Sequence, residues 1–199
     1  MAKYSETIEK LIAEFGRLPG IGARSAERLA FHILKAGEAE AFALADAIRD
    51  VKTNIRPCGV CFNIAEADLC NICADTTRDQ AVICVVEQPK DLLALESTGV
   101  YRGVYHVLMG HIAPLEDMEP EDLTLDALVR RVRAGGVREI ILATNPTVAG
   151  DSTALHITEQ LAGTGVALTR LARGLPAGGQ IEYANKSILS DAMNERRNV

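Results

Sequence analysis

The pattern of apolar and polar positions divides the chain into a helical first part and an alternating second part. In the first part, apolar residues recur at helical spacing within residues 5–16, from Ala26 to Ile33, and within residues 38–55. These stretches predict three amphipathic helices. Pro19, Gly20 and Gly22 interrupt the pattern between the first two. The first 56 residues therefore predict a small all-helical unit.

From residue 81 the chain alternates between short apolar runs and helical segments. The runs AVICVVE, GVYHVLMG, REIILAT and VALTRLA are rich in Val and Ile, as strands buried on both faces are. Helical segments follow the first three runs, at residues 89–99, 121–133 and 151–162. This order predicts a wound, parallel α/β sheet. The remaining residues, 176–199, predict a turn followed by a short helix or an extended arm.

Charge and hydropathy narrow the possible partners and the compartment. The net charge is −6, but residues 1–57 hold nine Lys/Arg against eight Asp/Glu. A DNA-binding region usually carries a basic surface, so nucleic-acid contact is expected in this first quarter. The acidic remainder suits protein partners or cations. No apolar run could span a membrane, and the polar start lacks a signal-peptide core. A cytoplasmic location is therefore expected, where stable disulfides rarely form.

The segment Gly20-Ile21-Gly22 lies between two predicted helices and favours phosphate binding. Glycines let a backbone approach closely, and the amides that begin the next helix can bind an anion. Arg24 and Arg28 lie one helical turn apart and could flank that phosphate. The stretch resembles the helix-hairpin-helix motif of DNA repair proteins. The alternative is a plain helix–helix turn that uses glycine as a cap.

Four of the five cysteines form two CxxC pairs, separated by eight residues: Cys58, Cys61, Cys70 and Cys73. Four thiolates complete a tetrahedral shell with no open position, which predicts one structural Zn²⁺ per chain. An iron–sulfur cluster also uses four thiolates and is the main alternative. The position between the helical unit and the sheet predicts a brace that holds the two parts. Cys84, inside the first apolar run, is expected to be a packed core thiol.

An acidic residue and a polar loop follow two of the predicted strands. Glu87 ends the first run, and the loop TNPTVAGDST follows the third. Ligands gather beyond the carboxyl ends of strands in wound sheets. The layout resembles the Toprim domain of topoisomerases and primases, whose catalytic members place an aspartate pair where this chain has Asn145 and Thr147. Of the trailing acids only Asp151 stands here, so we do not expect a catalytic magnesium site. The alternative for Glu87 and Asp151 is surface acids that cap helices.

In their joint order these segments make the whole chain resemble the RecR family of bacterial recombination mediators. The family segments are LPGIGARSAERLAFHIL, the cysteine cluster, ICVVEQPKDLLALE, YHVLMGHIAPLE, ILATNPTVAGDSTA and GLPAGGQIEY. The resemblance implies a multi-part α/β fold with four regions. These are a helix-hairpin-helix region for DNA binding and oligomerisation at 1–56, a four-cysteine zinc finger at 57–76, a Toprim domain at 80–175, and a C-terminal Walker-B-like segment and oligomerisation arm at 176–199.

The resemblance also implies a function and its residues. Family members bind DNA without sequence preference and act with RecO and RecF to place RecA on gapped single-stranded DNA. They form dimers or ring-like tetramers, without catalysis, in the bacterial cytoplasm at the nucleoid. The DNA-binding residues correspond to Gly20, Ile21, Gly22, Arg24 and Arg28. The partner-binding acidic face corresponds to Glu87, Asn145, Thr147 and Asp151. The alternative function is that of a Mg²⁺-dependent Toprim nuclease or primase-like phosphotransferase.

Overall fold

A computed structural model describes residues 4–196, which form two compact units that meet in sequence at Ile55 and Arg56. The first unit contains three helices: α1 (Glu6–Gly16), α2 (Ala23–Lys35) and α3 (Glu38–Asn54). Helices α1 and α2 pack against each other, with Ala26 and Ala30 buried between them. Small residues at these positions let the two backbones approach closely. Helix α3 has no buried residue, and Phe42, Ile48 and Val51 are each about 60% exposed.

The second unit begins with the cysteine segment and continues into a four-stranded sheet. The cysteine segment contains β1 (Arg56–Pro57), β2 (Ile64–Ala65) and the short helix α4 (Asn71–Ala74). The sheet region contains β3 (Asp79–Val86), α5 (Pro89–Glu96), β4 (Gly103–Val107), α6 (Leu125–Arg133), β5 (Glu139–Leu142), α7 (Val148–Gln160) and β6 (Ala167–Arg170). Helix α8 (Lys186–Asn194) follows, and short 3-10 turns lie at Pro114–Glu116, Pro120–Asp122 and Ile181–Tyr183.

The sheet is parallel, with strand order β4-β3-β5-β6. Apolar side chains cover both of its faces, which explains the continuous apolar runs in the sequence. One face packs Ile83, Val85 and Ile140 against α6 and α7. The other face packs Cys84, Val86 and Tyr105 against α5 and, through Phe62 and Ile72, against the cysteine segment. The predicted wound α/β architecture and the packed position of Cys84 are confirmed.

Side chains and one loop close the outer edge of β4. The carbonyl of Gly103 accepts a hydrogen bond from Arg78 (3.2 Å), and the carbonyl of Tyr105 accepts one from Arg131 (2.8 Å). At Val107, the carbonyl accepts from the Thr124 hydroxyl (2.7 Å), and the amide donates to the Cys61 carbonyl (2.8 Å). Edge strands otherwise present unpaired backbone groups that can pair with another chain. The side chain and loop contacts occupy four of these groups here.

Two helices of the sheet region begin at positions that differ from the sequence prediction. The helix predicted at 121–133 begins at Leu125, because Thr124 uses its hydroxyl to bond the β4 edge and ends the preceding turn. The helix predicted at 151–162 begins three residues earlier, at Val148, because the Thr147 hydroxyl accepts a hydrogen bond from the Gly150 amide (3.0 Å). None of the helices within residues 4–196 combines the length and the hydrophobicity needed to cross a membrane.

Candidate functional site

The glycine hairpin of the first unit leaves helix α2 with open backbone amides at its start. Gly20 has φ +79°, a left-handed conformation that favours glycine, and Gly22 is the N-cap of α2. Gly22 has no side chain to cap the first turn. The first amides of α2 therefore remain available to an anion. A Cβ at either glycine would meet nothing within 4 Å, so the turn is open to an approaching molecule.

Arg24 and Arg28 lie exposed on the first two turns of α2, and neither forms an ion pair with any residue in the described range. The acid nearest to them in sequence, Glu27, accepts a hydrogen bond from the Tyr4 hydroxyl at 2.6 Å. Tyr4 itself packs edge-on against Phe31, with 5.2 Å between ring centroids. The one acid on this stretch of helix is thus engaged elsewhere, and both guanidinium groups face solvent.

The four cysteines of the CxxC pairs converge on one point. Their sulfur atoms all lie within 4.8 Å of one another, and the Sγ atoms of Cys61 and Cys70 are 3.5 Å apart. Sulfurs bound to zinc at about 2.3 Å in a tetrahedron lie about 3.8 Å apart. The Cys70 amide also donates to the Cys58 sulfur at 3.4 Å, which stabilises a thiolate. The donor set and its geometry fit a single structural zinc ion.

The electrostatics of the thiols also favour a bound cation. Burial raises the pKa of Cys58, but the backbone N–H groups of Cys61, Cys70 and Val60 outweigh burial and lower it to about 6. A hydrogen bond with Cys73 raises the pKa of Cys61, and burial raises the pKa of Cys70. Four neighbouring thiolates repel one another until a cation neutralises them. A divalent ion removes that conflict and releases the remaining thiol protons.

The metal site is attached directly to the β4 edge. The carbonyl of the ligand Cys61 accepts the Val107 amide, and the next residue, Phe62, packs its ring against His106 with 5.4 Å between ring centroids. Phe62 has φ +62°, a left-handed conformation uncommon for a bulky residue. The cysteine segment holds the backbone of Phe62 in this conformation, which directs the Phe62 side chain toward the sheet. These contacts show that the finger braces the sheet, while the prediction that it also fixes the helical unit stays a prediction.

His106 is fully buried in β4, and its surroundings keep it neutral. Because the Thr124 hydroxyl donates to the Val107 carbonyl, its oxygen accepts from the His106 Nε2–H at 2.9 Å. The Nδ1 atom has no hydrogen-bond partner among the described residues. Burial lowers the His106 pKa to about 4, and the nearby Arg131 charge acts in the same direction. His106 is therefore a structural histidine.

At the carboxyl edge of the sheet, Glu87 is a buried hub rather than an exposed acid. The residue is 3% exposed, and both of its carboxylate oxygens are bonded. One oxygen accepts the Asn145 backbone amide (2.7 Å), and the other accepts the Asn145 side-chain amide (2.7 Å) and lies 3.2 Å from His111 Nδ1. The structure thus brings Glu87 and Asn145 together, while their role in binding a partner stays a prediction. It also adds His111, which no spacing in the sequence connects to Glu87.

Gly150 makes this arrangement possible. A Cβ at Gly150 would lie 2.1 Å from the Asn145 carbonyl oxygen and 2.8 Å from the Glu87 carboxylate. No other residue fits there without moving the loop. Sequence reasoning did not select Gly150, although a glycine inside a helical segment is a signal of close approach.

Asp151, which the sequence analysis grouped with Glu87, has different hydrogen-bond partners. Arg170 and Arg173 both donate hydrogen bonds to its carboxylate, and these bonds, that of Arg173 above all, lower its pKa. Thr147 is exposed and caps α7. The two acids that a magnesium site would need are therefore occupied, one by amides and one by arginines. The arginines follow from no motif in the sequence, since they lie 19 and 22 residues beyond Asp151.

Three family models match the chain in the order of these sites. They are RecR, helix-hairpin-helix over residues 8–52; the RecR four-cysteine zinc finger domain over residues 55–75; and Toprim domain over residues 81–172. Together with the cysteine geometry and the parallel sheet, they define a protein of the Toprim class that carries a helix-hairpin-helix and a structural zinc finger.

The relatives of the chain identify the family within that class. A protein of Rhodopirellula baltica is 51% identical and one of Rubrobacter xylanophilus is 52% identical, each over the full length of both chains. A third, from Chloroflexus aggregans, is 53% identical over 96% of this chain and 94% of the relative. Each carries the name recombination protein RecR. The chain belongs to the RecR family, and the resemblance drawn from its sequence is confirmed.

Proposed function

We propose that this chain is a DNA-binding recombination mediator that works without catalysing a reaction. The observation that carries the proposal is the hairpin of the first unit. Two exposed arginines that pair with no acid in the described part of the chain, Arg24 and Arg28, stand beside the uncapped amides of α2. A phosphate can accept hydrogen bonds from these amides and form ion pairs with both guanidinium groups. Such contacts hold a DNA backbone and read no sequence.

The family relation supports the finer parts of the proposal. Relatives named recombination protein RecR align over essentially the whole chain. We therefore assign this chain a role with RecO and RecF in loading RecA on gapped single-stranded DNA, in the bacterial cytoplasm at the nucleoid. The regions at 1–56, 57–76, 80–175 and 176–199 would serve as DNA-binding region, zinc finger, Toprim adaptor and oligomerisation arm. Co-purification with RecO and DNA, which should fail for a chain that acts alone, tests this role.

Within the adaptor, the partner-binding face would be presented by the loop of Asn145 and Thr147, with Asp151 behind it. Because Glu87 is buried and bonded to Asn145, it would act on a partner only by holding this loop in shape. Thr147 and its exposed neighbours at 146–148 are the residues that a partner can touch.

Assembly into dimers or tetramer rings would supply the avidity that one hairpin lacks. The exposed apolar side chains of α3, Phe42, Ile48 and Val51, support such assembly, since large exposed apolar side chains grouped on one helix are typical of interfaces. Analytical ultracentrifugation should find a dimer or tetramer at micromolar concentration. A monomer there would refute the ring.

DNA retention on filters tests the binding itself. Replacing Arg24 and Arg28 by Gln should weaken binding of an oligonucleotide about tenfold or more and make its salt dependence shallower by roughly one contact per arginine. The control replaces Lys90 and Lys186 by Gln, which removes the same charge from exposed positions of the second unit. Equal retention by all three proteins would refute the hairpin as the DNA site.

The alternative function, a Mg²⁺-dependent nuclease or primase-like phosphotransferase, needs two or three free carboxylates near one another. Glu87 and Asp151 are both engaged within the described part of the chain, which supports the adaptor. Incubation with Mg²⁺ and labelled DNA should give neither cleavage nor primer synthesis. Turnover that Glu87→Gln abolishes and the exposed substitution Glu159→Gln retains would establish the enzyme instead.

A further inference from the structure

A second basic surface lies in the otherwise acidic second unit, at the end of helix α6. Residues 127–138, ALVRRVRAGGVR, contain four arginines and no acid. They hold four of the twelve Lys/Arg found between residues 58 and 199, a stretch with nineteen Asp/Glu. The charge is therefore concentrated in one place. The net charge summed over residues 58–199 hides this local excess of positive charge.

The topology fixes where these arginines lie. Helix α6 runs from the end of β4 back to the start of β5, so its last turn reaches the edge of the sheet at which the strands begin. Arg102 precedes β4 at that same edge and is exposed. The basic surface therefore lies at the amino edge of the sheet, opposite the carboxyl edge that holds Glu87 and the 144–151 loop.

The four arginines of residues 127–138 divide into two that serve the fold and two that do not. Arg131 donates to the Tyr105 carbonyl, and Arg138 pairs with Asp79. Arg130 and Arg133 are exposed, and neither forms an ion pair or side-chain hydrogen bond with a residue between positions 4 and 196. They lie three apart on α6, hence on one face of the helix. Arg24 and Arg28 of the hairpin are likewise exposed and form no ion pair within that range.

Two glycines, which carry no side chains, lie close to Arg133 in the chain. Gly135 and Gly136 have φ +92° and +82°, and a Cβ at either would meet nothing within 4 Å. Together with Gly163 and Thr164 of the loop after α7, they line an open polar groove of about 580 Å³. The backbone of a bound strand can approach the protein closely in such a groove, as it can at the hairpin glycines.

From these observations we infer that Arg130 and Arg133, with the adjoining glycine groove, form a second contact for the phosphate backbone of a single DNA strand. The inference rests on the proposed DNA-binding function and adds a site outside the hairpin. The groove offers no aromatic or large apolar anchor of the kind that dominates protein interfaces. A phosphate strand needs only positive charge and close approach, and both are present.

The experiment compares three variants of the full chain with wild type by fluorescence anisotropy. The probe is a labelled oligo(dT) strand, titrated at several salt concentrations. The patch variant is Arg130→Gln with Arg133→Gln, which leaves the buried α6 residues Leu125, Leu128 and Val132 in place. The hairpin variant is Arg24→Gln with Arg28→Gln. The charge control is Lys90→Gln with Lys186→Gln, and thermal unfolding of each protein verifies that it is folded.

The patch variant should bind with a salt slope shallower by about 1.4, since each single-strand phosphate contact contributes about 0.7. At about 0.1 M salt its affinity should fall roughly 10- to 30-fold, while the charge control stays near wild type. An impaired hairpin variant beside an unaffected patch variant would overturn the second site and leave the proposed function standing. If neither variant lost affinity, the proposed function would fail with it.

An acidic protein segment is the other ligand that such a surface could take, and the same proteins distinguish it. Polyglutamate of equal charge should displace the oligonucleotide poorly and equally from wild type and patch variant. If polyglutamate bound wild type as tightly as oligo(dT) did, and the patch variant lost that binding, the surface would be a protein-docking site and the inference would be wrong.

Discussion

Replacing Glu87 by Gln tests whether this residue is a structural hub or a metal ligand. Glutamine keeps one oxygen, which can still accept the Asn145 backbone amide. Its new NH2 group would face the Asn145 side-chain amide, donor against donor, where the carboxylate accepts at 2.7 Å. The contact with His111 would also lose its negative partner. Hydrogen bonds to charged groups contribute about 1.5–3 kcal/mol each, and an unpaired buried donor adds to the loss.

The expected destabilisation is therefore about 3 kcal/mol, because one strong bond is lost and one buried donor is left without an acceptor. For a protein of this size, that corresponds to a fall in Tm of about 6–12 °C. Differential scanning calorimetry measures the shift, and Glu159→Gln on the exposed face of α7 serves as control. Hydrogen exchange of residues 144–150 should accelerate in the Glu87 variant alone.

Magnesium provides the decisive comparison. A hub whose oxygens are already bonded gains nothing from the ion, so wild type should unfold at the same temperature with and without Mg²⁺. A ligand would behave differently, since an ion at 100 times its Kd stabilises the folded state by about 2.7 kcal/mol. Stabilisation of wild type by more than about 1 kcal/mol, absent in Glu87→Gln, would refute the reasoning. So would a Glu87 variant as stable as its control.

Two further predictions concern β4. Cys61→Ser should release zinc and, because the Cys61 carbonyl bonds the Val107 amide, speed hydrogen exchange in residues 103–110 while β5 and β6 exchange as before. Solubility or assembly of this variant should suffer before its DNA binding does. Unchanged hydrogen exchange in β4 would contradict the coupling between the zinc site and this strand. Acid should destabilise the fold through His106, whose folded pKa of about 4 lies below its ordinary value, so that the unfolded state binds the extra proton. Stability from this residue is complete above pH 6.5 and falls by about 3 kcal/mol as the pH drops to 4. Chemical denaturation from pH 7 to 4 should show that loss in wild type and not in His106→Gln; parallel curves would contradict it.

The sequence predicted the elements whose pattern is local. Strand runs such as AVICVVE and the helices between them are visible because burial on both faces, or on one stripe, leaves a period in the residues. The CxxC spacing likewise predicted the zinc ligands, since tetrahedral thiolate sites are built from such pairs. Their convergence within 4.8 Å needed no information beyond the segment itself.

Features that depend on distant partners could not be predicted in the same way. Glu87 was expected on a partner-binding face, yet its bonds to Asn145 and His111 cross 58 and 24 residues and bury it. Asp151 was grouped with it, but two arginines from the end of the sheet hold it separately. The basic surface of α6 was missed for another reason, because charge was balanced over large parts of the chain and the local excess was averaged away.

The closed outer edge of β4 limits how copies of this sheet can join. Backbone groups of β4 are occupied by Arg78, Arg131, Thr124 and the Cys61 loop, whereas no strand in residues 4–196 pairs with the outer side of β6. Two copies that met at β6 would form a continuous sheet with a closed strand at each end. Addition of a third copy through β4 would be disfavoured, since the carbonyls of Gly103, Tyr105 and Val107 are already bonded at each end. The Cys61 loop supplies one of the contacts that keep the β4 edge from pairing with another chain, so the zinc finger also shapes which edge of the sheet is open.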